Sequence, residues 1–155
     1  MYKINKILVP IDFSDYSKSA LRYSIEFSKC FGAELVLVYV VEPQVYPADF
    51  TMGQVAVPPI EADMTKIAQN ELEQLAKTEI GDDVKSQTVI RTGSPFIEIN
   101  NAASELDVDL IIIATHGHTG VEHLLFGSTA EKVVRKAPCP VLTLREPIKG
   151  FKFSG

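Results

Sequence analysis

The residues best suited to chemistry follow a single apolar run. Leu110-Ile111-Ile112-Ile113-Ala114 gives way to Thr115-His116-Gly117-His118-Thr119-Gly120, and after Val121 to Phe126 comes Gly127-Ser128-Thr129-Ala130-Glu131. Glycines let main-chain N–H groups approach a ligand closely, and hydroxyl residues add donors of their own. Ser128 with Glu131 three residues on fits a capping box, which places Gly127 at the entrance to a helix. The first N–H groups of a helix lack partners within it and carry the positive end of its dipole, so this pattern suits phosphate. Glycines before a capped helix are also ordinary turn chemistry, and the residues alone leave both readings open. No GxxxxGK[ST] occurs and no strand is followed by GxGxxG, so the Walker loop and the dinucleotide fingerprint are both absent.

Other chemistries fit less well. His116, His118 and His123 invite a metal reading, but only the first two are close, with no cysteine or acidic cluster beside them. Pairing Ser14 or Ser128 with a histidine as a nucleophile lacks the GxSxG elbow. Asp12, Asp15 and Glu42 at strand exits suggest a phospho-acceptor receiver, which would need an aspartate ending its third strand. The corresponding exit here is Arg91-Thr92-Gly93.

The elements that must position these residues alternate in type along the chain. Ile7-Leu8-Val9, Leu35 to Val41, Leu110 to Ala114 and Pro140 to Leu144 are short apolar runs bounded by turn residues, as strands buried on both faces read. Val84 to Arg91 alternates and reads as a strand nearer the sheet edge. Between them lie helical stripes: Ala20, Leu21, Ser24, Ile25, Ser28 and Phe31, opened by Ser14 and closed by Gly32; Met64, Ile67, Ala68, Leu72 and Leu75, ended by Gly81; Phe96, Ile99, Ala103 and Leu106 after Ser94-Pro95; and Ala130, Val133, Val134 and Ala137, ended by Pro138. The order βαβαβαβαβ predicts an α/β fold: one open, five-stranded, mostly parallel, Rossmann-like sheet with helices on both faces. The most apolar run, 110–114, is expected at its centre. In such sheets ligands sit beyond the strands' carboxyl ends, where the winding reverses. Residues 42–59, rich in proline, read as a long, flexible loop, and the tail 145–155 has no partner pattern.

The 155 residues fit one domain spanning 1–155. A net charge of −5 argues against non-specific binding to nucleic acid or anionic lipid, but not against a phosphate held by main-chain donors. No apolar run is long enough to span a bilayer, and the first residues do not read as an export signal, so a cytoplasmic location is expected. Cys30 and Cys139 are far apart and outside any CxxC, which reads as two buried or half-buried free thiols in a reducing compartment.

The stretch from Ala114 to Leu144 resembles the C-terminal signature of the universal stress protein family. In its nucleotide-binding branch the pattern is glycine, two residues, glycine, nine residues, glycine, then serine or threonine. Gly117, the run His118 to Phe126, and Gly127-Ser128 match its later part, and Ala114 stands where the pattern has its first glycine. The opening Lys6-Ile7-Leu8-Val9-Pro10-Ile11-Asp12-Phe13-Ser14 and the closing Ala137-Pro138-Cys139-Pro140-Val141-Leu142 are also similar, so the likeness covers Lys6 to Leu144. The resemblance implies an adenine nucleotide α-hydrolase-like fold that binds ATP, with Mg²⁺ near Asp12 and no metal site made by protein ligands alone. It implies that Pro10 and Asp12 border the adenosine and that Val40 offers its backbone to the adenine. Ala114, Thr115, His116, Gly117, His118, Thr119 and Gly120 would wrap ribose and phosphates, and Gly127, Ser128 and Thr129 would hold the phosphates. It further implies a homodimer through Pro140 to Leu144, and a stress-response regulatory module rather than an enzyme. The alternatives are a slow ATPase or phosphotransferase in the same pocket, or a protein that dimerises without nucleotide.

Overall fold

The computed structural model describes residues 1–43, 59–116 and 126–145. The elements run β1 (Lys6–Pro10), α1 (Asp15–Phe31), β2 (Glu34–Val41), α2 (Pro59–Glu79), β3 (Ser86–Thr92), α3 (Pro95–Glu105), β4 (Leu110–Ala114), α4 (Ser128–Lys136) and β5 (Val141–Leu144). The strands form one sheet in the order β3-β2-β1-β4-β5, and every neighbouring pair is parallel. The α/β, five-stranded reading therefore holds. The centre of the sheet is β1, with β4 one place to its side. The most apolar run is an inner strand, and what its composition reports is burial on both faces.

Alternate side chains of each strand feed two half-cores. Ile7, Val9, Leu35, Leu37 and Ile112 meet Leu21, Ile25 and Leu72 of α1 and α2. Leu8, Val36, Val38 and Ile111 meet Ile99, Ala102, Ala130 and Val133 of α3 and α4. This division explains why the strand runs show no polar alternation. The two ends of α1 form as expected. Ser14 Oγ accepts the Ser17 N–H at 3.2 Å, and Gly32 closes the helix at φ 66°. Arg22 clamps α1 to α2 through two bonds to the Glu79 carboxylate, at 2.8 and 3.0 Å. Those hydrogen bonds hold the Glu79 carboxyl below its usual range.

Several expected core positions face outward instead. Phe31 is 48% exposed and its ring packs at a tilt against Phe27, at 4.9 Å between ring centres. Ile67 is 58% exposed because it sits about 100° round the helix from Ala68, which heads the buried line to Leu72. Met64 and Val134 are likewise exposed. Cys30 is exposed rather than buried, since it lies about 200° round α1 from buried Ser28, whereas Cys139 is half-buried. Pro59 belongs to α2, not to the loop before it, as suits a residue with no N–H to lose in a first turn. The rest of that loop, 44–58, and the tail 146–155 lie outside the described residues. Among the described residues no helix is long and apolar enough to cross a membrane.

Burial sets the expected cost of truncation. Ile112→Ala removes a fully buried side chain and should lower unfolding free energy by about 2–5 kcal/mol in urea titration, whereas Ile67→Ala should change it by less than about 0.5 kcal/mol.

Candidate functional site

The strand order reverses between β1 and β4, and their carboxyl ends diverge into a cavity of about 470 Å³. Its volume falls in the range usual for small-molecule sites. The cavity brings together Pro10, Asp12, Val40, Ala114, Thr115, His116, Gly127, Ser128 and Thr129, all of them expected from the sequence. The remaining expected residues, Gly117, His118, Thr119 and Gly120, lie outside the described residues, as does His123 of the metal reading.

Each wall has a local cause. β2 runs to Val41 whereas β1 ends at Pro10, whose partner is Val38. The Ile11 N–H reaches the Val38 carbonyl at 2.8 Å, while the Val41 carbonyl faces the other way, accepting from Gly93. Alternation along a strand therefore directs the peptide groups of Val40 to the β1 side, at the cavity. Ala114 ends β4 opposite Leu144, in extended backbone where alanine is at ease. Among the described residues, only Phe13 and Asp107 are non-glycines with positive φ.

The fourth helix begins one residue earlier than a capping box at Ser128 would require. Gly127 is the N-cap, with extended backbone at φ −68°, and Ser128 is the first helical residue. Glu131 turns to Arg135 instead, at 3.0 Å, and its N–H makes the first intrahelical bond, to the Gly127 carbonyl at 3.1 Å. Ser128, Thr129 and Ala130 precede that bond, so the helix supplies their N–H groups with no partner, and all three residues line the cavity. Gly127 needs no left-handed conformation. What favours glycine is space: a Cβ there would lie a tight 3.1 Å from the Thr115 carbonyl, which accepts the Gly127 N–H at 2.6 Å.

At the β1 exit, Asp12 Oδ1 accepts the Ser14 N–H at 3.0 Å and the Ser14 hydroxyl. Across the mouth Thr115 Oγ1 lies 3.0 Å from His116 Nδ1, and the His116 ring is 5.5 Å from that of Tyr16. Glu42, read in the sequence as a strand-exit carboxylate, also lines the cavity, and sequence reasoning missed the rest of the lining: Ile11, Phe13, Ser17, Val38, Tyr39, Pro95, Ile99, Ile113 and Ala130. The signal for Tyr39 was present, as a polar-tipped residue beside Val40 in an otherwise aliphatic run. Burial, and then the charges of Glu71, Asp12 and Glu42, push its phenol above the usual range. One side of the cavity is apolar, with Val38, Val40, Ile99 and Ile113, and the other ends in main-chain donors and hydroxyls, with the carboxylates of Asp12 and Glu42 also in the lining. That asymmetry suits a ligand with a flat apolar part and an anionic part.

A sheet of this order, with a cavity where the strand order reverses, defines a doubly wound α/β protein. The model of the universal stress protein family matches residues 3–145, and the chain belongs to that family. The universal stress protein MJ0531 of Methanocaldococcus jannaschii is 36% identical over 96% of this chain and 85% of its own. The solved structure of MJ0577 from the same organism superposes with a TM-score of 0.75 at 30% identity, covering 94% of this chain and 96% of that one. A universal stress protein from Archaeoglobus fulgidus, solved in complex with dAMP, shares the fold at TM-score 0.61 and 19% identity, over 92% and 98% of the two chains.

Gly127→Val should place methyl groups against the Thr115 carbonyl and lower stability by about 1–3 kcal/mol in chemical denaturation, with Gly127→Ala losing less.

Proposed function

We propose that this chain is an ATP-binding regulatory module of the stress response. The observation that carries this reading is the convergence on one cavity of the N–H groups of Ser128, Thr129 and Ala130 with the β1 and β2 exits. The first supply an anion cradle, and the second an edge for a base and a sugar. Val40 would present its peptide groups to adenine, Asp12 would accept from ribose hydroxyls, and Gly127, Ser128 and Thr129 would hold phosphates. The dAMP complex of the Archaeoglobus fulgidus neighbour supports an adenine nucleotide as the ligand class. Mg²⁺ would enter with the triphosphate and neutralise its charge, with Asp12 the nearest expected carboxylate. The described lining contains no lysine or arginine to stabilise a transferring phosphoryl group, which favours holding ATP over turning it over.

Calorimetry with ATP and Mg²⁺ should show binding by the wild-type protein and a loss of about 1.5–3 kcal/mol for Asp12→Ala, with turnover well below about 1 s⁻¹. A folded wild type that gives no heat with ATP would defeat the nucleotide reading. Turnover near enzyme rates would move the chain to the ATPase class.

A second part of the proposal concerns assembly in the cytoplasm. β5 is a four-residue edge strand whose residues are all only partly covered, and Val134 of α4 is 44% exposed. An apolar edge of this kind calls for a cover, and a second copy paired through Pro140 to Leu144 supplies one. Leu142→Lys should shift sedimentation toward monomer, and a wild-type monomer at concentrations of tens of micromolar would count against the pairing.

A further inference from the structure

Among the described residues of the site, Phe13 is the strained one. It sits between Asp12 and Ser14 in the left-handed region, at φ 63°, and it lines the cavity. A bulky residue gains nothing from that conformation, which persists only where its surroundings impose it. Two sets of contacts do so here. The Phe13 ring packs on Tyr39 at 5.0 Å between centroids and 49° between planes. On either side the chain is stitched by serines. The Asp12 N–H donates to Ser17 Oγ at 3.3 Å, and the Ser17 Oγ–H donates to the Ser14 carbonyl at 3.0 Å. The reversal at Phe13 allows the Asp12 side chain to turn forward onto the Ser14 N–H, which fixes one carboxylate oxygen.

We propose that Phe13 is a positioning residue, whose ring, lodged against Tyr39, holds the left-handed turn that orients the Asp12 carboxylate in the cavity. The inference rests on the nucleotide reading for its purpose, but its geometry can be tested without nucleotide. Glycine would accept the same φ without the ring, asparagine tolerates the left-handed region, and tyrosine keeps the ring. The substitutions thus separate backbone preference from ring packing.

The first measurement is the pH titration of the Ser14 amide resonance by NMR, which reports Asp12 ionisation through their hydrogen bond. The wild type and Phe13→Tyr should show the full titration shift, and Phe13→Gly and Phe13→Asn should lose at least half of its amplitude. Equal amplitudes in all four proteins, or a wild-type Ser14 amide that ignores Asp12, overturn the proposal. The second measurement is ATP affinity by calorimetry in two backgrounds. Phe13→Gly should weaken binding about fivefold when Asp12 is present and less than twofold in Asp12→Ala, because a group acting through Asp12 has nothing left to position. Equal losses in both backgrounds make the ring a direct ligand contact and overturn the positioning role. Thermal unfolding without ligand checks the fold of each variant, and Phe13→Asn stands in if the glycine variant unfolds. Should the wild type bind no ATP, the nucleotide reading fails, and the Ser14 titration still decides the role of Phe13.

Discussion

The hydrogen bond from the Gly127 N–H to the Thr115 carbonyl, 2.6 Å long, joins the entrance of α4 to the exit of β4. The Thr115 N–H is itself bound to the Leu144 carbonyl at 2.9 Å, so one peptide segment anchors the last helix, the fourth strand and the end of the fifth. The close approach leaves little room for a Cβ, and Gly127 has none. That bond ties the first turn of α4 beside the exit of β4, and Ser128, Thr129 and Ala130 line one cavity with the exits of β1 and β2. Loosening it would leave the cavity with its apolar side and without the leading N–H groups of α4.

Much of this was legible in the residues because burial writes itself into composition. Strands covered on both faces must be apolar throughout, and Ile7 to Val9, Leu35 to Val38 and Ile111 to Ile113 are the residues found buried. Gly32, Ser14 and Ser94-Pro95 marked helix ends because few residues can take those positions. Helix faces were harder. Phe31, Ile67 and Val134 are as apolar as their buried neighbours, and only the angle round the helix and the reach of the sheet decide which are covered.

The site was legible where it depends on strand exits and glycines, and illegible where it depends on conformation. Nothing in the letters Asp-Phe-Ser reports a left-handed phenylalanine, because that φ is imposed by contacts with Tyr39 and the serines, residues apart in sequence or silent in pattern. Pro95 and Ile99 read as helix start and helix core, which they are. Their place in the lining follows from how α3 lies against β2 and could not be had from spacing. At Gly127 the residue type was informative but its reason was not, since a turn glycine and a close-approach glycine share one letter.

The sheet is a partition. Side chains on its α1–α2 face and its α3–α4 face form separate half-cores that meet only through the strands between them. The cavity opens at the rim of that partition, where Phe13 and Tyr39 belong to one side and Val38, Val40 and Ile99 to the other. A molecule seated there spans both layers. Its binding energy then acts as mechanical coupling between them, so that neither helix layer can peel away without also losing the bound molecule.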